Sequence, residues 1–283
     1  KAYHLPRRPV LLLLLLTLTL CVPAWTAAQQ IPSPEQFFGH QMGADRQLAR
    51  WDKLVEYYDM IGERSDRVQV VHMGPSTLGN PFLSIFVSSP ENLANLDEIK
   101  RMNAILQDPR GHSEAEVDNA IENSKVVFVQ SYGLHSTEVA ASQSAAEIMY
   151  DFATRNDDGI NEILDNTVSI LIPAFNPDGN IIVTDWYNRW VGTEYEGSGP
   201  PELYHHFIGH DNNRDAFMQA TIESWYGAEI LFREWVPQAY IDHHQMGPYT
   251  ARIYLPPYAE LIRPGGDPLV WREMTWYGAH MAY

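Results

Sequence analysis

Apolar side chains recur at three- and four-residue spacing through Leu48, Trp51, Val55, Tyr58 and Ile61, which predicts an amphipathic helix closing near Gly62. The period then shortens. Residues 68–73 and 82–87 are β-rich runs separated by Gly74-Pro75 and Gly79-Asn80-Pro81, the marks of a hairpin. Ser89-Pro90-Glu91 opens a helix to about Gln107, because proline suits a first turn and an acidic side chain offsets the helix dipole there. Further on, the strands lose their alternation. Residues 125–130 (KVVFVQ) and 168–172 are continuous apolar runs, and an alanine-rich helix over 136–154 stands between them. A helix over 216–235 leads into a strand at 238–242, and Asp267-Pro268 caps a last helix. Apolar strands alternating with long helices predict parallel strands covered on both faces. The expected fold is α/β, with a mixed, largely parallel sheet flanked by helices on both faces.

The N-terminal pattern belongs to something else. Arg7 and Arg8 precede an apolar run at 10–20 that is too short to span a bilayer, and Thr26-Ala27-Ala28 follows it. This predicts a signal peptide over 1–28, a linker or N-terminal arm over 29–44, and one domain over 45–283. A secreted or periplasmic protein with no stable membrane insertion after signal removal is expected. Cys21, the only cysteine, lies inside that signal, so the mature chain would have neither disulfides nor thiolate metal ligands.

Composition narrows the picture from another side. The 283 residues are 45% apolar and 12% aromatic, enough for a packed core and too much for intrinsic disorder. The net charge is −17, and loss of Lys1, Arg7 and Arg8 with the signal would make it −20. A chain this acidic is poorly suited to nucleic acid or anionic lipid.

Chemistry concentrates where strands end. His135-Ser136-Thr137-Glu138 follows the strand KVVFVQ, at the carboxyl edge where open α/β sheets place ligands. Imidazole nitrogen and carboxylate oxygen both suit zinc, although a lone His-x-x-Glu is more often a capped helix beside a surface histidine. Tyr240-Ile241-Asp242-His243-His244 ends another strand, and its adjacent histidines point to opposite faces, so at most one meets the first pair. The polar run Gly209-His210-Asp211-Asn212-Asn213-Arg214-Asp215 reads locally as a helix cap, and His205, His206 and His210 as surface residues or residues supporting a site.

Taken together these segments resemble the zinc metallocarboxypeptidases related to pancreatic carboxypeptidases A and B. The family's His-x-x-Glu corresponds to His135 and Glu138, and its Asn-Pro-Asp-Gly to Asn176-Pro177-Asp178-Gly179. Its Asn-Arg corresponds to Asn188-Arg189, its Asp-x-Asn-Arg to Asp211-Asn212-Asn213-Arg214, and its last ligand to His244. The resemblance implies a carboxypeptidase-like fold and one Zn2+ per chain on His135, Glu138 and His244, two His and one Glu being that family's known ligand set. It also implies Arg189 as the group polarising the scissile carbonyl, Asn213 and Arg214 as the grip on the substrate carboxylate, and Asp211 as the partner of the His135 ring. The substrates would be peptide or protein C-termini. The chain departs from the family at Thr137, where an Arg is usual, and at Met246, where a Tyr is usual. The family's general-base Glu lies far beyond the last ligand, and Glu260 and Glu273 come too early to replace it. The domain is therefore expected to be C-terminally incomplete, without the base. Two alternatives stand beside the peptidase: a zinc amidase or deacylase of cell-wall peptides or acyl amino acids, and an inactive zinc- and peptide-binding module.

Overall fold

Strands β1 (Val68–Pro75), β2 (Pro81–Val87), β3 (Val126–Tyr132), β4 (Thr167–Ile172) and β5 (Ala239–His243) form a mixed sheet in the order β1-β2-β4-β3-β5. This computed structural model describes residues 30–209, 211–247, 249, 254–257 and 267–283. The expected signal segment lies outside them. Strands β1 and β2 are the predicted antiparallel hairpin, and β2 meets β4 antiparallel. The other half is parallel, with β3 between β4 and β5.

Strands β1 to β4 each feed two cores, as a period of two requires. On one face Leu83, Ile85, Tyr132 and Leu171 pack with Trp51, Leu54, Tyr58 and Ile61 of helix Trp51–Arg64 and with Ala145 and Met149 of helix Ala140–Thr154. On the other, Val127, Val129, Val168, Ile170 and Ile172 pack with Ile99 of helix Leu96–Gln107 and with Ile230 and Trp235. The sheet is thus covered on both sides, with its parallel half carrying the continuous apolar strands.

Local polar chemistry redraws several predicted elements. Residues 31–43 are not featureless. Ser33 and Gln36 form a capping box on the helix Pro34–Phe38, and Phe37 and Phe38 pack against the core beside Tyr57. Asn95 divides the helix after Ser89 into Pro90–Ala94 and Leu96–Gln107. Two further helices, Glu114–Asn123 and Pro177–Trp190, start from side-chain caps at Ser113 and Asn176. The helix expected over 216–235 is several pieces. Asp215 accepts from the backbone N–H of Ala220 and Thr221 at 2.8 and 3.0 Å, Gln219 is left-handed (φ 51°), and Thr221 caps a new helix, Ile222–Ala228, that widens into a π turn at Glu229–Glu234. The last helix, Pro268–Ala282, is capped by Asp267 as predicted. No helix among the described residues is long and apolar enough to cross a membrane.

Candidate metal centre

The chain leaves β3 through Gly133, whose φ of 60° suits glycine and whose added Cβ would strike Ser142 Oγ. Asn212 Nδ2 donates to the Leu134 carbonyl at 2.8 Å and fixes the loop that follows. Glu138 N–H donates to the His135 carbonyl at 2.9 Å, closing one turn, so the two side chains emerge on the same side. The long helix starts only at Ala140, leaving His135 and Glu138 in the preceding turns. His244 arrives from β5, which runs parallel to β3 with His243 opposite Tyr132.

At that edge His135 Nδ1 lies 2.9 Å from Glu138 Oε1, and His244 Nδ1 lies 3.0 Å from Glu138 Oε2. The ring centroids of the two histidines are 4.8 Å apart. Gln245 N–H donates to Glu138 Oε2 at 2.8 Å. One ligand atom from each of His135, Glu138 and His244 falls within 4.8 Å of the others. Two nitrogens and a carboxylate oxygen, partly open to solvent, fit the donor set of a zinc site that keeps a position for water. The His244 pKa is pushed up to about 9, first by its hydrogen bond to Asp242 and then by the Asp242 and Glu138 charges, against the effect of burial.

His243 is turned away. Its ring stacks on Tyr132 at 4.3 Å, Nε2 lies 3.2 Å from Gln130 Oε1, and burial pushes its pKa down. Asn213 Nδ2 lies 3.3 Å from His244 Nε2, beside the triad. Arg214 is exposed and pairs with Asp211 at 3.5 Å. Asp211 therefore faces Arg214, while His135 Nε2 is buried without a hydrogen-bond partner. Arg189 is exposed near the end of its helix, its guanidinium 5.8 Å from the Trp186 ring, and no described hydrogen bond or ion pair ties it to the triad.

Several neighbours, apart from the Asn176-Pro177-Asp178-Gly179 turn, carry no motif signal. Tyr204, 6.5 Å from His135 between ring centroids, is buried, and its pKa is pushed up to about 12, by burial first and then by the charges of Glu138 and Asp211. A Cβ on Gly179 would meet Ser136 Oγ and, at 2.7 Å, the Tyr204 carbonyl, so the Asn176-Pro177-Asp178-Gly179 turn packs directly behind the site. Asp178 accepts from Leu78 N–H at 2.8 Å and Asn80 Nδ2 at 2.7 Å, and Glu223 from Thr77 N–H at 2.6 Å. His205 is buried against Glu223 at 3.4 Å, so it is an internal clasp rather than a surface residue; His206 is exposed, and His210 lies outside the described residues. A largely apolar cavity of about 480 Å³, lined by Leu134, Phe175, Ala228, Leu231 and Tyr240, opens beside Asp242.

The family model described as zinc carboxypeptidase matches residues 54–235. No curated protein matches the chain. Among solved structures it is similar to thrombin activatable fibrinolysis inhibitor, with 14% identity and a TM-score of 0.45 over 84% of this chain and 58% of that one. It is also similar to carboxypeptidase A from Helicoverpa armigera (14%, TM-score 0.45, 75% of this chain and 52% of that one). A third likeness is to a metallo-carboxypeptidase from Pseudomonas aeruginosa in complex with (2-guanidinoethylmercapto)succinic acid (16%, TM-score 0.42, 68% and 39%). The chain spans little more than half the length of the first two.

Proposed function

The chain belongs to the zinc carboxypeptidase family, and from that premise we propose that it is an exported zinc-dependent carboxypeptidase that releases C-terminal residues from peptides or proteins. One observation carries this reading. Two imidazole nitrogens face the two oxygens of a single carboxylate at the open end of parallel strands. Zinc held by His135, Glu138 and His244 would supply Lewis acidity to the scissile carbonyl and acidify its water.

The chain's own residues would do the rest. The Arg214–Asp211 pair is solvated and long, so it holds the guanidinium weakly and leaves it free to fork onto a substrate carboxylate. Asn213, next to His244, would add an amide donor to that grip. Arg189 would offset charge developing on the tetrahedral oxygen, an effect that can reach ~3 kcal/mol when the donor is in place. The cavity beside Asp242 has room for the side chain of the released residue.

The test, on the full-length protein, is release of the last amino acid from matched peptides with free and amidated C-termini. Release from the free acid only, abolished by a chelator and restored by zinc, is expected, and Arg214→Ala should narrow the difference between the two peptides. Hydrolysis of acyl amino acids or cell-wall amides with peptides untouched would replace this reading with the amidase. Zinc uptake with no hydrolysis of either substrate would replace it with the binding module.

A further inference from the structure

One polar chain at the metal centre has no counterpart in the motifs. Asp242 and His244 are two apart along a strand and its exit, so both side chains leave the same face. Asp242 Oδ2 lies 2.7 Å from His244 Nε2. The carboxylate is itself anchored, because Ser131 Oγ donates to its other oxygen at 2.6 Å. Ser131 is fully buried in β3 and is the direct backbone neighbour of Asp242 in the parallel register. Tyr240, on the same face, reaches Ser131 Oγ with its hydroxyl at 2.7 Å. Sheet pairing therefore fixes the carboxylate, and the carboxylate fixes the ring.

We propose that Asp242 is the positioning residue of the metal centre, accepting the Nε2 proton of His244 so that the Nδ1 lone pair is presented beside Glu138. A neutral imidazole has one donor and one acceptor nitrogen, and a partner for the donor decides which nitrogen meets a metal. The two sides of the centre are unequal. His135 Nε2 has no partner and Asp211 turns to Arg214, whereas His244 is held at both nitrogens. Orientation enters from β5.

This inference rests on the zinc reading above, and the experiment separates the two. Zinc affinity of the full-length protein is measured by chelator competition, alongside long-range nitrogen–proton correlation spectra of the histidine rings. The wild type should bind one zinc, with the His244 proton on Nε2. Asp242→Ala should lose about 10- to 100-fold in zinc affinity, and Asp242→Asn, which still accepts through its amide oxygen, should fall between. In both variants the His244 Nε2 proton signal should move or vanish, a change that a purely structural role would not produce. If neither variant folds, Ser131→Ala, which frees the carboxylate without removing it, should weaken zinc several-fold. Wild-type protein that takes up no zinc overturns the functional reading and this inference with it. Wild-type uptake with unchanged affinity in the variants, or a proton on His244 Nδ1 in the zinc-loaded protein, overturns the inference alone.

Discussion

Two glutamates on this chain sit among histidines and hydrogen bonds, and they differ in what surrounds them. Glu223 is buried, accepts from Thr77 N–H and Thr77 Oγ1 at 2.6 and 3.0 Å, and meets His205 at 3.4 Å. With Asp178 it ties the β1–β2 turn to the Asn176-Pro177-Asp178-Gly179 turn and to helix Ile222–Ala228. Glu138 is partly open, and its main partners are two imidazoles whose facing nitrogens can equally serve an ion. Among the described residues, the buried polar atoms without partners include His135 Nε2, Asn212 Oδ1 and Asn213 Oδ1 around Glu138, and none in the Glu223 clasp. Native interiors rarely leave such atoms unpaired. A carboxylate buried against backbone and hydroxyl donors of its own chain holds the fold, whereas one partly open and faced by two imidazoles, which can bind an ion as readily as a carboxylate, is ready for a ligand.

The largest expected effect would break that comparison outright. His135→Ala, Glu138→Gln and His244→Ala should each abolish zinc uptake, while Glu223→Gln should leave one zinc per folded chain. His243→Ala should also keep its zinc, since that ring packs on Tyr132. Metal content of purified variants decides. Loss of zinc from His243→Ala with retention in His244→Ala would move the ligand by one residue.

The Glu138 side of this contrast was legible in the sequence and the Glu223 side was not. Strand parity separates His243 from His244, continuous apolar runs announce parallel strands, and a strand end announces a site edge. Glu223, however, meets Thr77 across 146 positions and Asn212 meets Leu134 across 78, and no local period encodes such pairings. The same limit explains the helices. Apolar spacing ran smoothly through 216–235, but the Asp215 carboxylate captures the Ala220 and Thr221 N–H groups and ends the first helical segment there.

A smaller effect sharpens the contrast in stability. Removing a buried carboxylate strands its donors at about 1–3 kcal/mol each, so Glu223→Ala, which leaves Thr77 N–H and Thr77 Oγ1 without their acceptor, should lower the denaturation free energy by about 2–5 kcal/mol. Glu138→Ala, measured without metal, removes a partly solvated group and should cost about 1 kcal/mol or less. Chemical denaturation of both variants, metal-free, tests the ranking. Equal losses would mean that Glu138 is also a structural carboxylate.

The smallest effect is a slope. Burial pushes the Glu223 carboxyl up, but hydrogen bonds from His205 and from Thr77 outweigh it and hold the group below the usual carboxylate range. Asp215 is likewise held low: burial opposes, and Ser224, Thr221 and the Ala220 and Thr221 N–H groups prevail. A carboxyl with a depressed folded-state pKa stabilises the fold fully above its unfolded value, near 4, and this contribution is lost as pH falls through the folded value. The metal-free protein should therefore lose stability progressively below about pH 4–5, where the unfolded chain binds more protons than the folded one. Glu223→Gln cannot take up that proton, so its stability should start lower and fall less steeply with acid. Thermal or denaturant unfolding at stepped pH measures the difference between the two slopes, which isolates Glu223 from the other carboxylates. Parallel slopes would show that the Glu223 clasp is held by shape rather than by charge.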